Sequence, residues 1–206
     1  MTNNLKNYYA DLFKKHGNTP AAVQHVSSAD QYKRFDVLCA DVSKDNSIID
    51  VGCGLGDMLG YLRSKGFEGK YLGLDFVDEF INHNNEFYHA DPNADFMVFD
   101  ILKDEFPQGY DQIILSGVFN NIMNDNDHFA KTALKKMFDA ASEQISFNMM
   151  SSYVDFTDDD LFYYNPLDIF DFCKKNLSKH LVLKHDYGLG QHNYPYEFSM
   201  FVKKAS

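Results

Sequence analysis

The sequence has 206 residues, of which 45% are hydrophobic and 16% aromatic, and this composition excludes a disordered chain and supports a sizeable folded core. Its 30 acidic residues outnumber its 19 lysines and arginines, which gives a formal net charge of −11. Such a surface repels phosphate backbones, and no apolar run approaches the length of a membrane span, so neither a nucleic acid nor a membrane is an expected partner.

Residues 1–45 predict a helical N-terminal cap with two amphipathic helices, at 4–17 and 28–42. After residue 45, short apolar runs alternate with stretches whose apolar residues recur at helical spacing. The predicted strands cover residues 47–51, 70–76, 95–100, 110–117, 144–150, 180–187 and 196–204. The predicted helices of this region cover residues 55–66, 77–89, 127–142 and 166–177.

Helices separate most of these strands, and this order predicts a three-layer αβα sandwich around a seven-stranded, mostly parallel sheet. The last strand follows the sixth after a short hairpin, so we expect it to run antiparallel. Helices on both faces of an open parallel sheet are typical of a doubly wound, Rossmann-like fold. We expect one domain over residues 1–206, with 1–45 as the cap and 46–206 as the core.

The stretch "DVGCGLGD" at residues 50–57 joins the first predicted strand to the first helix of the core. In a doubly wound sheet this turn lies beneath the ligand, so it must be tight and must let the ligand approach its backbone. Gly52 and Gly54 have no Cβ that would obstruct either requirement. Asp75 ends the second predicted strand, where a carboxylate can accept hydrogen bonds from both hydroxyls of a ribose.

Two ligand classes compete for this turn. A dinucleotide requires the GxGxxG spacing, which puts its pyrophosphate on the helix N-terminus. Here the third glycine, Gly56, comes one residue early, and Asp57 follows it with a charge that would repel a pyrophosphate. The pattern favours a ligand with an amine and no phosphate, such as S-adenosylmethionine. An NAD(P)-dependent reductase is further disfavoured because no Tyr-x-x-x-Lys pair lies at the fourth and fifth strands.

Four segments in order resemble the successive motifs of the class I S-adenosylmethionine-dependent methyltransferases. They are "DVGCGLGD" at 50–57, "GLD" at 73–75, "VFDI" at 98–101 and "YDQIILSGVFN" at 110–120. The resemblance covers residues 30–206, and the tail of the chain is similar to a subgroup of small bacterial members. It implies the class I methyltransferase fold, S-adenosylmethionine as cofactor with S-adenosylhomocysteine as product, and methyltransferase activity.

The resemblance also implies roles for individual residues at the strand ends. Asp50 would fix the glycine turn and the amine of the cofactor, and Asp75 would hold the ribose. Asp100 would accept a hydrogen bond from the adenine amino group, and Ser116 would line the floor near the sulfonium. The full set implied for cofactor binding is Asp50, Gly52, Gly54, Asp75, Phe76, Asp100, Ile101 and Ser116.

Arg34 is a separate prediction for the carboxylate of the cofactor. Its helix, with Gln31 one turn earlier on the same face, is expected to cap the pocket. A guanidinium can bind a carboxylate through two parallel hydrogen bonds, and the rest of the predicted site is acidic.

The segments expected at the carboxyl ends of the strands are rich in Tyr, Phe, His and Asn and poor in Lys and Arg. They predict a small-molecule acceptor, most simply O-methylation of a sugar or secondary-metabolite hydroxyl or acid, and they suit a strongly anionic acceptor poorly. We expect His185 to be the general base, with His25 as second choice, because imidazole titrates near neutral pH. The predicted substrate residues are Asn120, Tyr153 and His192, and no metal site is expected.

Two alternative functions remain open on the sequence alone. One is N-methylation of a small amine, which would need no strong base, and the other is a non-catalytic cofactor-binding partner subunit. We expect a monomer or homodimer. Three scattered cysteines without a CxxC spacing predict reduced thiols and a cytoplasmic protein.

Overall fold

The computed structural model describes residues 2–17, 19, 28–190 and 193–205. Seven strands form its sheet: β1 (Ile48–Val51), β2 (Tyr71–Asp75), β3 (Ala94–Val98), β4 (Gln112–Leu115), β5 (Gln144–Met150), β6 (His180–Lys184) and β7 (Glu197–Lys203). The α-helices are α1 (Thr2–His16), α2 (Ser28–Leu38), α3 (Asp57–Ser64), α4 (Asp78–Phe87), α5 (Asn126–Ala140) and α6 (Pro166–Asn176). In this part of the chain, no helix combines the length and the apolar character needed to cross a membrane.

The strands lie in the order β3-β2-β1-β4-β5-β7-β6. The first five run parallel, and β7 runs antiparallel to both of its neighbours, β5 and β6. The predicted fold class is therefore confirmed, including the antiparallel last strand. The chain order reverses at β1, where Val51 lies opposite Leu74 on one side and Leu115 on the other. In open α/β sheets, ligands bind at the carboxyl ends of the strands at such a switch point.

The two helical layers follow from the alternation of side chains along the buried strands. Ile49 and Ile113 belong to the apolar cluster that α5 and α6 cover. Their neighbours in sequence, Ile48 and Ile114, belong to the cluster that α2, α3 and α4 cover. Every residue of β1, β2, β4 and β5 is buried, including the polar residues Asp50 of β1 and Ser146 and Asn148 of β5.

Helix α1 packs on α4 beside the end of β2. Tyr9 and Phe13 make edge-to-face contacts with Phe80. Lys6 forms an ion pair with Asp78 at the start of α4. These contacts place α1 above the carboxyl edge of the sheet.

The connection between β6 and β7 differs from the predicted short hairpin. β6 ends at Lys184 rather than at residue 187, and β7 begins only at Glu197. The intervening segment turns towards α2, because the N–H of Gly190 donates to the carboxylate of Asp30 at 2.9 Å. Tyr187, predicted as the last residue of the strand, bonds through its hydroxyl to Ser199 at 2.8 Å.

Candidate active site

A cavity opens at the carboxyl ends of β1, β2 and β4, where the strand order reverses. Its floor is formed by the turn between β1 and α3 and by the residues that follow β2, β3 and β4. Residues of α1 and α2 contribute to its walls from above. All eight residues that the family resemblance implied for cofactor binding line this cavity. Arg34 is not among the lining residues.

The glycine turn has the backbone conformation that glycine favours. Gly52 and Gly54 adopt φ angles of +73° and +51°. A Cβ added to Gly52 would lie 2.2 Å from Cγ2 of Val118, on the loop after β4. A side chain at this position would therefore collide with the cavity floor.

Asp75 is held rigidly at the end of β2. One carboxylate oxygen accepts from the N–H of Gly54 at 3.0 Å, and the other accepts from the N–H of Val77 at 2.9 Å. The residue is 6% exposed, and burial raises its carboxyl pKa to about 6, although the N–H donors lower it. The hydrogen bond to Gly54 links the acid directly to the glycine turn, so the two parts of the site are set in one geometry.

Asp50 lies deeper, within β1. It is 2% exposed and accepts a hydrogen bond of 2.5 Å from the hydroxyl of Tyr71. Burial raises the pKa of Asp50 to about 7, Tyr71 lowers it, and the nearby Asp75 and Asp57 raise it further. A cationic group in the cavity would favour the ionised form of this acid.

Helix α2 reaches the cavity through Gln31. Its side-chain amide donates to the carboxylate of Asp57, the first residue of α3, at 3.1 Å. Both residues line the cavity. This contact joins the cap to the core at the amino-acid end of the predicted cofactor site.

Ser116 and Asp100 complete the polar part of the floor. The hydroxyl oxygen of Ser116 is buried and has no hydrogen-bond partner among the described residues, so a ligand can supply one. Asp100 accepts from Lys103 at 2.7 Å and from the N–H of Leu102 at 3.0 Å. Partial burial opposes its ionisation, but these donors hold its pKa below the usual value.

Arg34 is engaged by a carboxylate of the chain itself. Its guanidinium binds Glu197 of β7, with Nε 3.0 Å from both oxygens and Nη2 2.7 Å from one. The side chains are 12% and 0% exposed. Glu197 also accepts from Asn148 at 2.7 Å, and Asn148 accepts from the N–H of Gly117 at 2.8 Å. A buried carboxylate requires a partner, and Arg34 fills that need for Glu197 rather than facing the cavity.

Three of the residues predicted for acid–base chemistry and substrate contact, His185, Asn120 and Tyr153, are not among the residues that line the cavity. His185 stacks on Tyr153 and lies 3.0 Å from the carbonyl oxygen of Pro195. Asn120 uses its side-chain oxygen to accept from the N–H of Met150 at 3.2 Å. His25 and His192 lie outside the described residues.

Tyr9 and Asn121 line the cavity but were not predicted from the sequence. The hydroxyl of Tyr9 donates to the side-chain oxygen of Asn121 at 3.2 Å. Burial raises the pKa of Tyr9 to about 12, so its hydroxyl is neutral at physiological pH. The only sequence signal is the position of Tyr9 on the apolar face of an amphipathic helix, and nothing in that signal points to Asn121.

Comparisons with known proteins agree with this geometry. The family described as "Methyltransferase domain" matches residues 48–148. Over 168 residues the chain is 38% identical to the protein named "Putative methyltransferase Rv1506c" of Mycobacterium tuberculosis, covering 78% of this chain and 94% of that protein.

Two solved structures show the same fold at low sequence identity. Magnesium protoporphyrin IX methyltransferase from Synechocystis PCC 6803, with bound S-adenosylhomocysteine, superposes over the full length of both chains with a TM-score of 0.73 and 14% identity. A TehB-like S-adenosylmethionine-dependent methyltransferase from Corynebacterium glutamicum has a TM-score of 0.62 and 19% identity, covering 98% of this chain and 99% of that one. With the fold, the lined cavity and the sequence relatives in agreement, the chain belongs to the class I S-adenosylmethionine-dependent methyltransferases.

Proposed function

We propose that this methyltransferase modifies a small-molecule acceptor, and that the eight cavity-lining residues implied by the family resemblance bind the cofactor. The observation that carries the proposal is the fixed carboxylate of Asp75, which is bonded to Gly54 of the glycine turn and faces a cavity covered by α1 and α2. A covered cavity of this kind favours a small acceptor over a macromolecule.

The polar groups of the floor fit the parts of the cofactor. In this proposal Asp75 accepts from the ribose hydroxyls and Asp100 from the adenine amino group, with Phe76 and Ile101 against the ring; the support is that all four residues line the cavity. Asp50 would face the cationic amine, which favours the ionised form of its buried carboxyl group. The unpaired hydroxyl of Ser116 is available to the ligand.

Arg34 has a different role in this proposal from the one predicted for it. Its Nε and Nη2 atoms already donate to Glu197. We therefore assign Arg34 to anchoring α2 over the cavity rather than to binding the carboxylate of the cofactor. Gln31, on the same helix, then stays in contact with Asp57 at the edge of the site.

When bound, S-adenosylmethionine supplies an activated methyl group. The contribution of the protein is then to hold donor and acceptor in line and to exclude water, and such positioning accounts for much of the acceleration in reactions of this kind. Tyr9 of α1 and Gln31 of α2 cover the cavity on the side away from the sheet, where they would exclude water.

We propose oxygen as the first candidate for the acceptor atom, as predicted for a sugar or secondary-metabolite hydroxyl. A hydroxyl benefits from a general base. His25 stays a prediction for that base, while His185 is bonded to Pro195 away from the cavity lining. N-methylation is the second candidate, because the described lining residues include no His, Lys or Arg, and a neutral nitrogen needs no base.

The experiment is methyl transfer from methyl-labelled S-adenosylmethionine to a low-molecular-weight filtrate of a bacterial lysate. We expect label in the small-molecule fraction, and we expect the Asp75→Asn variant to transfer little of it. Label that appears only in the protein or nucleic-acid fraction of the same lysate would contradict the proposal.

A further inference from the structure

The lining of the cavity contains two neutral polar side chains, bonded to each other, that the cofactor assignment does not use. They are Tyr9 of α1 and Asn121, which follows the 3₁₀ turn Val118–Asn120 after β4. We propose that Tyr9 and Asn121 bind the methyl acceptor beside the transferred methyl group, and that this acceptor is uncharged. The inference rests on the proposed function and adds the class of acceptor and the residues that recognise it.

The position of the pair favours a role at the point of transfer. Tyr9 contacts the rings of Phe76 and Phe80, on the β2 side of the cavity, at centroid distances of 6.3 Å. Its hydroxyl donates to Asn121, on the β4 side. The pair therefore joins the β2 and β4 sides of the cavity. Ser116 and Gly117, which follow β4 and near which the sulfonium is expected, line the same cavity.

Asn121 is fixed by its own backbone contacts. The side-chain amide of Asn126 donates to its carbonyl oxygen at 2.7 Å, and Asn121 forms an antiparallel bridge with Leu161. The amide nitrogen of its own side chain lies 3.4 Å from the carbonyl oxygen of Val118. A recognition group needs this kind of support, because a loosely held side chain would not orient a nucleophile.

The charges around the cavity exclude charged acceptors of either sign. Four carboxylates line it, those of Asp50, Asp57, Asp75 and Asp100, and no lysine, arginine or histidine among the described residues does so. An anionic acceptor would meet these acids without a compensating cation. A cationic acceptor would have to sit against the sulfonium, whose charge repels it. A hydroxyl or a neutral nitrogen meets neither penalty, and the neutral Tyr9–Asn121 pair can donate to it or accept from it.

The placement can be tested without knowing the acceptor, by comparing two cofactor analogues. S-adenosylhomocysteine has no group at the position of the methyl, whereas sinefungin carries an amine there, which is protonated near neutral pH. Calorimetric dissociation constants of both are measured for the wild type, Tyr9→Phe and Asn121→Asp. Tyr8→Phe and Asn124→Asp are the controls, since both residues are exposed and neither lines the cavity.

If Asn121 faces the methyl position, Asn121→Asp should increase the preference for sinefungin over S-adenosylhomocysteine by roughly tenfold or more, as a charged hydrogen bond would. Tyr9→Phe should reduce that preference by about two- to tenfold, since one hydrogen-bonding group is lost. Equal changes for both ligands, or changes no larger than those of the controls, would overturn the placement while leaving cofactor binding itself established.

The class of acceptor is tested by dividing the active filtrate before the reaction. After a first portion of the filtrate has been shown to accept label, a second, unreacted portion is separated by ion exchange at neutral pH into anionic, cationic and unretained pools, and each pool is then incubated with the enzyme. We expect the unretained pool to accept the label. Transfer confined to the anionic or the cationic pool would show that the acceptor is charged and would contradict this part of the inference.

Discussion

Two carboxyl groups at the cavity, those of Asp50 and Asp75, are buried with neutral hydrogen-bond donors. Asp50 accepts from the hydroxyl of Tyr71, and Asp75 accepts from two backbone N–H groups. Burial therefore raises their pKa values to about 7 and about 6, well above the ordinary value of 3.8. Without a ligand, ionisation of these buried carboxyl groups lowers the free energy of unfolding. A cationic ligand beside them stabilises their ionised form.

The raised pKa of Asp50 predicts a pH dependence of stability. Between pH 3.8 and about 7, the folded protein keeps a proton on Asp50 that the unfolded chain has released. The contribution of this group to the free energy of unfolding therefore falls as pH rises through that window. The free energies of unfolding of the wild type and of Asp50→Asn are measured by urea denaturation across this pH window. The free energy of unfolding of the wild type should fall relative to that of Asp50→Asn as pH increases. A difference that stays constant would show that Asp50 titrates normally.

Gly52 provides a second test at the scale of one residue. Gly52→Ala should lower the free energy of unfolding by more than the roughly 1–2 kcal/mol that a positive φ costs a residue with a Cβ, because the new methyl group would also meet Val118. Gly109→Ala is the matched control, since Gly109 also has a positive φ but has no atom within 4 Å of the added Cβ. Denaturation curves that give the two variants equal losses would contradict the predicted collision.

At the scale of elements, one buried polar chain connects the cap, the sheet and the cavity floor. Arg34 of α2 binds Glu197 of β7, Glu197 binds Asn148 of β5, and Asn148 binds the N–H of Gly117 after β4. Each group in the chain is satisfied by the next, so the loss of one member leaves buried polar groups without partners. This series of hydrogen bonds holds α2 over the cavity.

Removal of one member of this hydrogen-bond series should destabilise the protein, and a second substitution should restore part of the stability. Arg34→Met leaves the carboxylate of Glu197 buried without a cation and should cost about 3–5 kcal/mol. Arg34→Met combined with Glu197→Gln should recover part of that loss, since the amide is neutral and its oxygen can still accept from Asn148. Urea denaturation of the single and the double variant measures the recovery. Equal stabilities would mean that the charge of Glu197 is compensated in another way.

The elements that the sequence predicted well are those with strong local patterns. β5 was predicted with its observed bounds, and Pro166 marked the start of α6, because an apolar run and a proline at a first turn are local signals. The end of β6 was predicted too late, since its departure from the sheet depends on a contact between Gly190 and α2. Such contacts have no counterpart in local periodicity.

At the scale of the whole molecule, the difference between local motifs and long-range contacts also separates the residues implied for cofactor binding from the rest of the candidate site. The glycine turn and Asp75 could be predicted because each lies at a strand end within a recognisable motif. The Tyr9–Asn121 and Arg34–Glu197 contacts join residues 112 and 163 positions apart. The sequence predicted that Arg34 binds the carboxylate of the cofactor, and it could not indicate that Glu197 of β7 lies within reach of the same guanidinium.

The central claim is that the cavity binds the cofactor through the acid at the end of β2, and calorimetric titration with S-adenosylhomocysteine tests it most directly. We expect the wild type to bind one ligand, and Asp75→Asn to bind it more weakly by about 1.5–3 kcal/mol, the contribution of hydrogen bonds to a charged group. Asp95→Asn, an exposed acid of β3 outside the cavity lining, should bind as the wild type does. Absence of binding to the wild type, or equal affinity of Asp75→Asn, would contradict the claim.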